Sequence, residues 1–343
     1  MKTTLKEIYV LLALMLVIFS SSTTSTTGKS DTPPKVIVAY VTSGSSIMPD
    51  PAYMTHINYA FGHVNDSFNG VRIDNPDRLK QIVSLKRKKP SLKVLLSIGG
   101  WGSGRFSEMA ATAKNREQFA EECRQIVNEF NLDGIDLDWE YPTSSAANIS
   151  SSPDDTDNFT LLMKDIRSAI GKEKLLTLAS AASAKYIDFK AIDPYVDFVN
   201  IMAYDMATAP KHLSALYPSE HSGRLTSDEA VKRHLAAGCP KHKLVLGMPF
   251  YGRGEKNKIP DFIDYKEIEK LTGFTTLWDE RGQVPYLVDS IGQLVCGFEN
   301  PRSLTIKCQY VKDQGLLGAM YWEYNCDNEA GDLRKAVYET IMH

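Results

Sequence analysis

Residues 133–142 read Asp133-Gly134-Ile135-Asp136-Leu137-Asp138-Trp139-Glu140-Tyr141-Pro142. Asp136, Asp138 and Glu140 are spaced by two. On an extended strand that spacing puts all three carboxyls on one face. Ile135, Leu137 and Trp139 then take the other face and suit packing against helices. Three carboxyls pointing into a barrel cannot all ionise cheaply, because desolvation and like charge raise their pKa values. Such crowding costs stability and marks a catalytic cluster. A solvated strand edge would not carry apolar residues on its opposite face. Calcium ligands come from a loop with a Gly turn rather than from a continuous strand. Asp133 has the opposite parity and reads as a support residue at the strand start.

Outward from this stretch, strand-like apolar runs recur at 35–41, 56–64, 93–100, 134–141, 175–182, 197–206, 243–252 and 318–325. Helix-length segments separate them, which implies a parallel sheet with helical crossovers. Eight βα units predict an α/β fold closed into a (β/α)8 barrel over residues 35–343. An open doubly wound sheet is the alternative. No GxGxxG sits between the first strand and helix, which weakens its dinucleotide-binding form. Thr226 with Glu229 reads as a capping box, with Gly238 at the far end of that helix. About 65 residues separate the seventh and eighth runs, against roughly 30 for a βα repeat. Residues 255–299 therefore read as a short α+β insertion between strands 7 and 8.

The chain has 343 residues, 43% hydrophobic and 24% charged, which excludes a disordered or collagen-like polymer. A net charge of −3 provides no basic surplus for a phosphate backbone, so nucleic acid is not an expected partner. Lys2 and Lys6 precede the apolar run 8–19, and Ser20 to Thr24 follow it. That order reads as a secretory signal over about residues 1–24, with a flexible lead-in at 25–34. The run is shorter than the roughly 20 residues a span needs, so a secreted or periplasmic protein without stable membrane insertion is expected. Five cysteines, Cys123, Cys239, Cys296, Cys308 and Cys326, show no metal spacing. Cys123 shares a helical stripe with Phe119, Ile126, Val127 and Phe130 and reads as a small core residue. Export would permit disulfides, with the pairing left open. Neither HExxH nor a P-loop occurs, so no metal and no cofactor is expected. Asn-x-Ser/Thr patterns at Asn65, Asn148 and Asn158 are glycan acceptors only in a eukaryotic secretory route, and also arise by chance.

The 133–142 stretch resembles the DxxDxDxE signature of glycoside hydrolase family 18, the chitinases. Four further stretches resemble that family's motifs in the same order: Ser97-Ile98-Gly99-Gly100-Trp101, Met202-Ala203-Tyr204-Asp205, Met248-Pro249-Phe250-Tyr251-Gly252-Arg253 and Gly318-Ala319-Met320-Tyr321-Trp322. The resemblance runs from about Val36 to the end of the chain. It implies a TIM barrel and a retaining chitinase acting on β-1,4-linked N-acetylglucosamine. Glu140 would be the general acid, and later the base toward water. The substrate's own acetamido oxygen would attack the anomeric carbon and give an oxazolinium intermediate. Asp138 would hold the acetamido N–H, Asp136 would share a proton with Asp138, and Tyr204 would donate to the acetamido oxygen. Asp205 would lie beside the sugar. Trp322 would floor the site, Trp101 would line the adjacent plus side, and Tyr40 and Phe61 would complete the wall. Tyr141, Met202, Tyr251 and Arg253 complete the implied substrate contacts, with a salt bridge to the insertion as the other reading of Arg253. Trp139 faces away from the acids toward the core. Trp278, in the insertion, is equally open to packing and to sugar contact.

The segment from Tyr265 through Trp278, Asp279 and Tyr286 resembles a shortened form of the family's chitin insertion domain. The implied partners are chitin or N-acetylglucosamine oligosaccharides, and a monomer is expected. Two alternatives follow from the same resemblance. One is an endo-β-N-acetylglucosaminidase acting on N-glycan cores. The other is a chitin-binding, chitinase-like lectin, a class that typically loses the acid retained here as Glu140.

Overall fold

In the computed structural model, which describes residues 34–343, each of the eight apolar runs contains a strand. The expected secretory signal, and all but the last residue of the lead-in, lie outside the described residues. The strands are Val36–Thr42 (β1), His56–Val64 (β2), Val71–Ile73 (β3), Lys93–Gly99 (β4), Gly134–Asp138 (β5), Leu175–Ala181 (β6), Phe198–Met202 (β7) and Leu244–Pro249 (β8). Then follow Tyr251–Gly254 (β9), Phe262–Asp264 (β10), Thr275–Asp279 (β11), Val284–Val288 (β12), Leu294–Gly297 (β13) and Gly318–Trp322 (β14). β1 pairs in parallel with both β2 and β14, which closes the ring β1-β2-β4-β5-β6-β7-β8-β14. Closure makes this a (β/α)8 TIM barrel and excludes the open sheet. β3, which the sequence does not announce, folds back antiparallel on β2 as a hairpin.

Helices cover the barrel: Pro76–Val83 (α1), Phe106–Ala110 (α2), Ala113–Glu129 (α3), Asp155–Ile170 (α4), Phe189–Ile192 (α5) and Ser227–Ala236 (α6). Tyr265–Ile268 (α7), Pro301–Asp313 (α8) and Asp332–Met342 (α9) complete the set. α3 buries Phe119, Cys123, Ile126 and Val127 in the same apolar cluster as Ile135 and Leu137 of β5. The parity expected for that strand is therefore realised, with apolar side chains outward into the helical layer. Thr226 caps α6 by accepting from the Glu229 N–H, but Glu229 bonds the Thr226 hydroxyl rather than its backbone, so only half of the expected box forms. A complete box closes the start of α8, between Asn300 and Ser303. All five cysteines are buried free thiols.

Between β8 and β14, β9 to β13 form a five-stranded antiparallel sheet in the order β10-β9-β13-β12-β11, with α7 beside it. It starts at Tyr251, before the expected residue 255, because the chain leaves the barrel directly into β9. Two polar contacts tie this region to the loop after β7. His212 Nε2 lies 2.9 Å from Asp279 Oδ2. Lys307 of α8 forms a fully buried ion pair with Glu299, and both bond Ser214. Removing one partner of such a pair strands the other charge, at about 3–5 kcal/mol. Lys307→Met is thus expected to lower the unfolding free energy by about that amount in urea titrations. A loss under about 1 kcal/mol would mean that Glu299 finds another partner or water.

Candidate active site

The mouth at the carboxyl ends of the parallel strands is where side chains from many strands converge. Asp136 lies deepest and is fully buried. It accepts from Tyr40 Oη at 2.7 Å, Ser97 Oγ at 2.8 Å, Thr177 Oγ1 at 2.6 Å and Asn200 Nδ2 at 3.3 Å. Burial raises its pKa and these four donors pull it back. They also occupy its lone pairs. The Asp136 carboxyl in turn helps to raise the pKa of Asp138.

Asp138, one turn of the pleat further, is buried with Oδ1 lacking any partner. Burial first, then the Glu140 and Asp136 carboxyls, hold its pKa well above the ordinary range. The expected strand 134–141 ends here, at Asp138. Its carbonyl accepts from Gly100 N–H at 2.9 Å instead of continuing the ladder. Gly99 has φ +131°, and a Cβ there would sit 2.0 Å from that same carbonyl oxygen; at Gly100, with φ +93°, it would meet the Phe61 ring at 2.7 Å, which explains the glycine pair.

Glu140 follows on the loop, half-buried. Burial lifts its pKa from 4.5 to about 7, the Asp205 carboxylate pushes the same way, and the Tyr141 hydroxyl opposes. A carboxyl of this kind remains a proton donor near neutrality. It also makes stability depend on pH. Between about 4.5 and about 7 the folded chain holds a proton that the unfolded chain has lost, so stability falls as pH rises through that window. Glu140→Gln removes the effect. It is expected to melt higher than the parent above pH 7, by about 3 kcal/mol in free energy, and to match it below pH 4.5. Equal melting points at both ends would show that Glu140 titrates normally.

Tyr204 and Asp205 sit just beyond β7. The Tyr204 hydroxyl has Met320 Sδ, at 3.8 Å, as its hydrogen-bonding neighbour. Burial and then the Asp138 and Glu140 carboxyls keep this phenol protonated. Gly247 makes room for the ring: a Cβ there would lie 2.2 Å from the Ile201 carbonyl and 3.1 Å from Tyr204 Cε1. Asp205 is gripped by Arg253 through two bonds of 2.8 Å, and Arg253 also reaches Asp261 at 3.0 Å. The salt bridge that was the other reading of Arg253 is thus present, through Asp205 and Asp261.

The aromatic side chains divide. Phe61 and Trp322, both half-buried, stack at 5.6 Å and 20°. Tyr40 is 1% exposed, with its ring against Trp322 and its hydroxyl on Asp136. So little exposure leaves it no face for the wall that the resemblance implies. Met202 and Tyr251 are also buried, Tyr251 beneath Phe262 at 4.3 Å. Trp101 is 65% exposed and meets the edge of Tyr141, which in turn stacks on Tyr186 at 4.9 Å. Trp139 is buried against Phe106, away from the acids. Trp278 lies under the Arg302 guanidinium at 3.8 Å, which favours packing. Tyr186 and Phe262 escaped the sequence reading. Neither lies in a recurring pattern, and only their ring contacts reveal them. The peptide bonds Ala60–Phe61, Glu140–Tyr141 and Trp322–Glu323 are cis.

Residues 36–327 match the model of the glycosyl hydrolases family 18. Chitinase A1 of Niallia circulans is 34% identical over 84% of this chain and 47% of its own length. An endochitinase of Manduca sexta is 31% identical over 81% of this chain and 59% of its own. The chain thus spans about half the length of these curated relatives. A solved family 18 N-acetylglucosaminidase from Paenibacillus barengoltzii is 35% identical, with a TM-score of 0.82 over 89% of this chain and 99% of that one.

Proposed function

The chain belongs to glycosyl hydrolases family 18, and from that premise we propose that it is a secreted retaining chitinase that cleaves β-1,4 bonds between N-acetylglucosamine units with the substrate's own assistance. One observation carries the reading. Glu140, a proton donor with a pKa of about 7, stands two residues from Asp138, whose buried Oδ1 awaits a donor. The acetamido N–H of the substrate is such a donor. Asp138 accepts it, and the Tyr204 hydroxyl donates to the acetamido oxygen. That oxygen attacks the anomeric carbon as Glu140 protonates the departing glycosidic oxygen. The bond to the leaving sugar breaks and an oxazolinium remains. Glu140, now a carboxylate, takes a proton from water, which attacks the same carbon, breaks its bond to the acetamido oxygen so that the N-acetyl group is regenerated, and restores the original anomeric configuration. Asp136 supports Asp138 through the charge they share in the barrel. The Phe61–Trp322 stack provides a floor for sugar C–H faces, and Trp101 lines the plus side. Secretion rests on the basic, apolar and small-residue order of residues 1–24.

Because Tyr204 and Asp138 act on one group, their contributions should not add. Tyr204→Phe is expected to lower kcat about 10²-fold, the worth of one preorganised donor, and Asp138→Asn at least as much. The double variant should be clearly less impaired than the product of the two. Strictly multiplicative losses would separate the two residues and end the shared-acetamido assignment.

A second reading has its own support. The Paenibacillus barengoltzii structure, titled an N-acetylglucosaminidase, is similar across almost its whole length. Product analysis tests both. Chitinase action on chitin oligosaccharides gives mainly disaccharides and longer pieces, and an N-acetylglucosaminidase gives the monosaccharide from the start. Release of a high-mannose glycan from a glycoprotein would point to the endo-β-N-acetylglucosaminidase. Binding without any product would point to a lectin.

A further inference from the structure

We propose that His63 is a positioning residue: it holds the loop that carries Trp101, and so sets how firmly the plus side of the substrate is bound. The inference rests on the chitinase reading above. Phe61 and His63 share one face of β2, by the alternation of a strand. Phe61 enters the floor with Trp322, and His63 continues that face outward, its ring 6.2 Å from Phe61.

The His63 ring bridges two elements. Nε2 lies 3.0 Å from Asp74 Oδ2, just past β3, and Nδ1 lies 2.8 Å from Ser103 Oγ. A carboxylate can only accept, so Nε2 carries a proton, and in the neutral ring Nδ1 accepts from the Ser103 hydroxyl. Asp74 is itself fixed, by Arg72 and by its N–H donating to the Phe61 carbonyl at 2.9 Å.

The loop needs such an anchor. Gly100, Gly102 and Arg105 all have left-handed φ, at 93°, 81° and 72°. Backbone of that composition loses much freedom on ordering. Its start is tied by the Gly100 bond to Asp138, and Ser103 N–H closes a turn on the Gly100 carbonyl. Trp101, between these points, is 65% exposed and meets the edge of Tyr141. The Ser103–His63 bond joins this turn to the β2–β3 hairpin. An ion pair of 2.7 Å between Arg105 and Asp66 adds a second, more exposed tie to the same hairpin. The hairpin thus braces the Trp101 loop, and His63 is the half-buried end of the brace.

The test compares two substrates in steady-state kinetics. Hexa-N-acetylchitohexaose can occupy the plus side with sugars, whereas an aryl di-N-acetylchitobioside places only its aglycone there. His63→Ala and Ser103→Ala are expected to raise KM for the hexamer about tenfold, with kcat within about twofold, and to leave the aryl glycoside unchanged. His63→Asn, whose amide oxygen can still accept from Ser103, should recover most of the hexamer KM. Thermal melts separate these effects from general unfolding. An unchanged hexamer KM in His63→Ala, or an equal rise on both substrates, overturns the proposal. If the parent protein cleaves neither substrate, the chitinase reading fails by itself. The brace is then judged by hexamer titrations of Glu140→Gln, followed by tryptophan fluorescence: affinity about tenfold weaker with His63→Ala added sustains it, and unchanged or absent binding overturns it.

Discussion

Glu140→Gln is expected to lose about 10²–10⁴-fold in kcat on chitin oligosaccharides while binding them nearly as tightly as the parent. Glutamine keeps the shape of the side chain and its hydrogen bonding, but has no proton to give. The structure sharpens the expectation. Burial keeps the proton on Glu140 up to a pKa of about 7, and Asp205 reinforces that. The variant therefore removes a group that is poised to donate at the working pH, rather than one that must first be protonated. Initial rates on a tetra- or hexasaccharide, with binding followed separately by calorimetry, check both halves. Retention of more than about a tenth of the parent kcat would place the acid elsewhere. The same acid predicts a rate that declines as pH rises through about 7, because the donor is then lost.

The second large effect is expected from the substrate. Fully deacetylated chitosan oligosaccharides should not be cleaved under conditions where their acetylated counterparts are consumed. An amine cannot supply the carbonyl oxygen that closes the oxazolinium ring. It also leaves Tyr204 without an acceptor, and it places a cation beside three crowded carboxyls. An amine that bound there would form salt bridges with the acids and could inhibit rather than react. Mass spectrometry of products after long incubation reads the outcome. Comparable turnover of the two substrates would require a nucleophile from the protein and would end the substrate-assisted mechanism.

Much of this architecture could be read from residues 133–142. Spacing by two both sets the direction of the acids and sends Ile135, Leu137 and Trp139 into the helical layer, where all three are buried. The eight strands were legible because parallel strands in a barrel are short, apolar and separated by helices. What stayed hidden depends on register between distant strands. Tyr40, Ser97, Thr177 and Asn200 meet at Asp136 only because five strands align, and nothing local in the chain announces it. Tyr40 reads as a wall residue for the same reason. An aromatic near a strand end looks alike whether it faces the groove or lies beneath it. The β2–β3 hairpin stays hidden in the sequence because three residues of strand carry no periodicity.

Asp136 also bears on how such a barrel can be taken apart. Two of its donors, Tyr40 and Ser97, precede it in the chain, and two, Thr177 and Asn200, follow it. A cut between β5 and β6 would leave the first fragment with a carboxylate that has only half its partners, and the second with two hydrogen-bonding groups aimed at nothing. Chimeras that exchange half-barrels between relatives should therefore succeed only when the incoming half brings its own hydroxyl and amide to these two places. The three acids lie within a few residues of one another, yet the unit of inheritance for their surroundings is the whole ring.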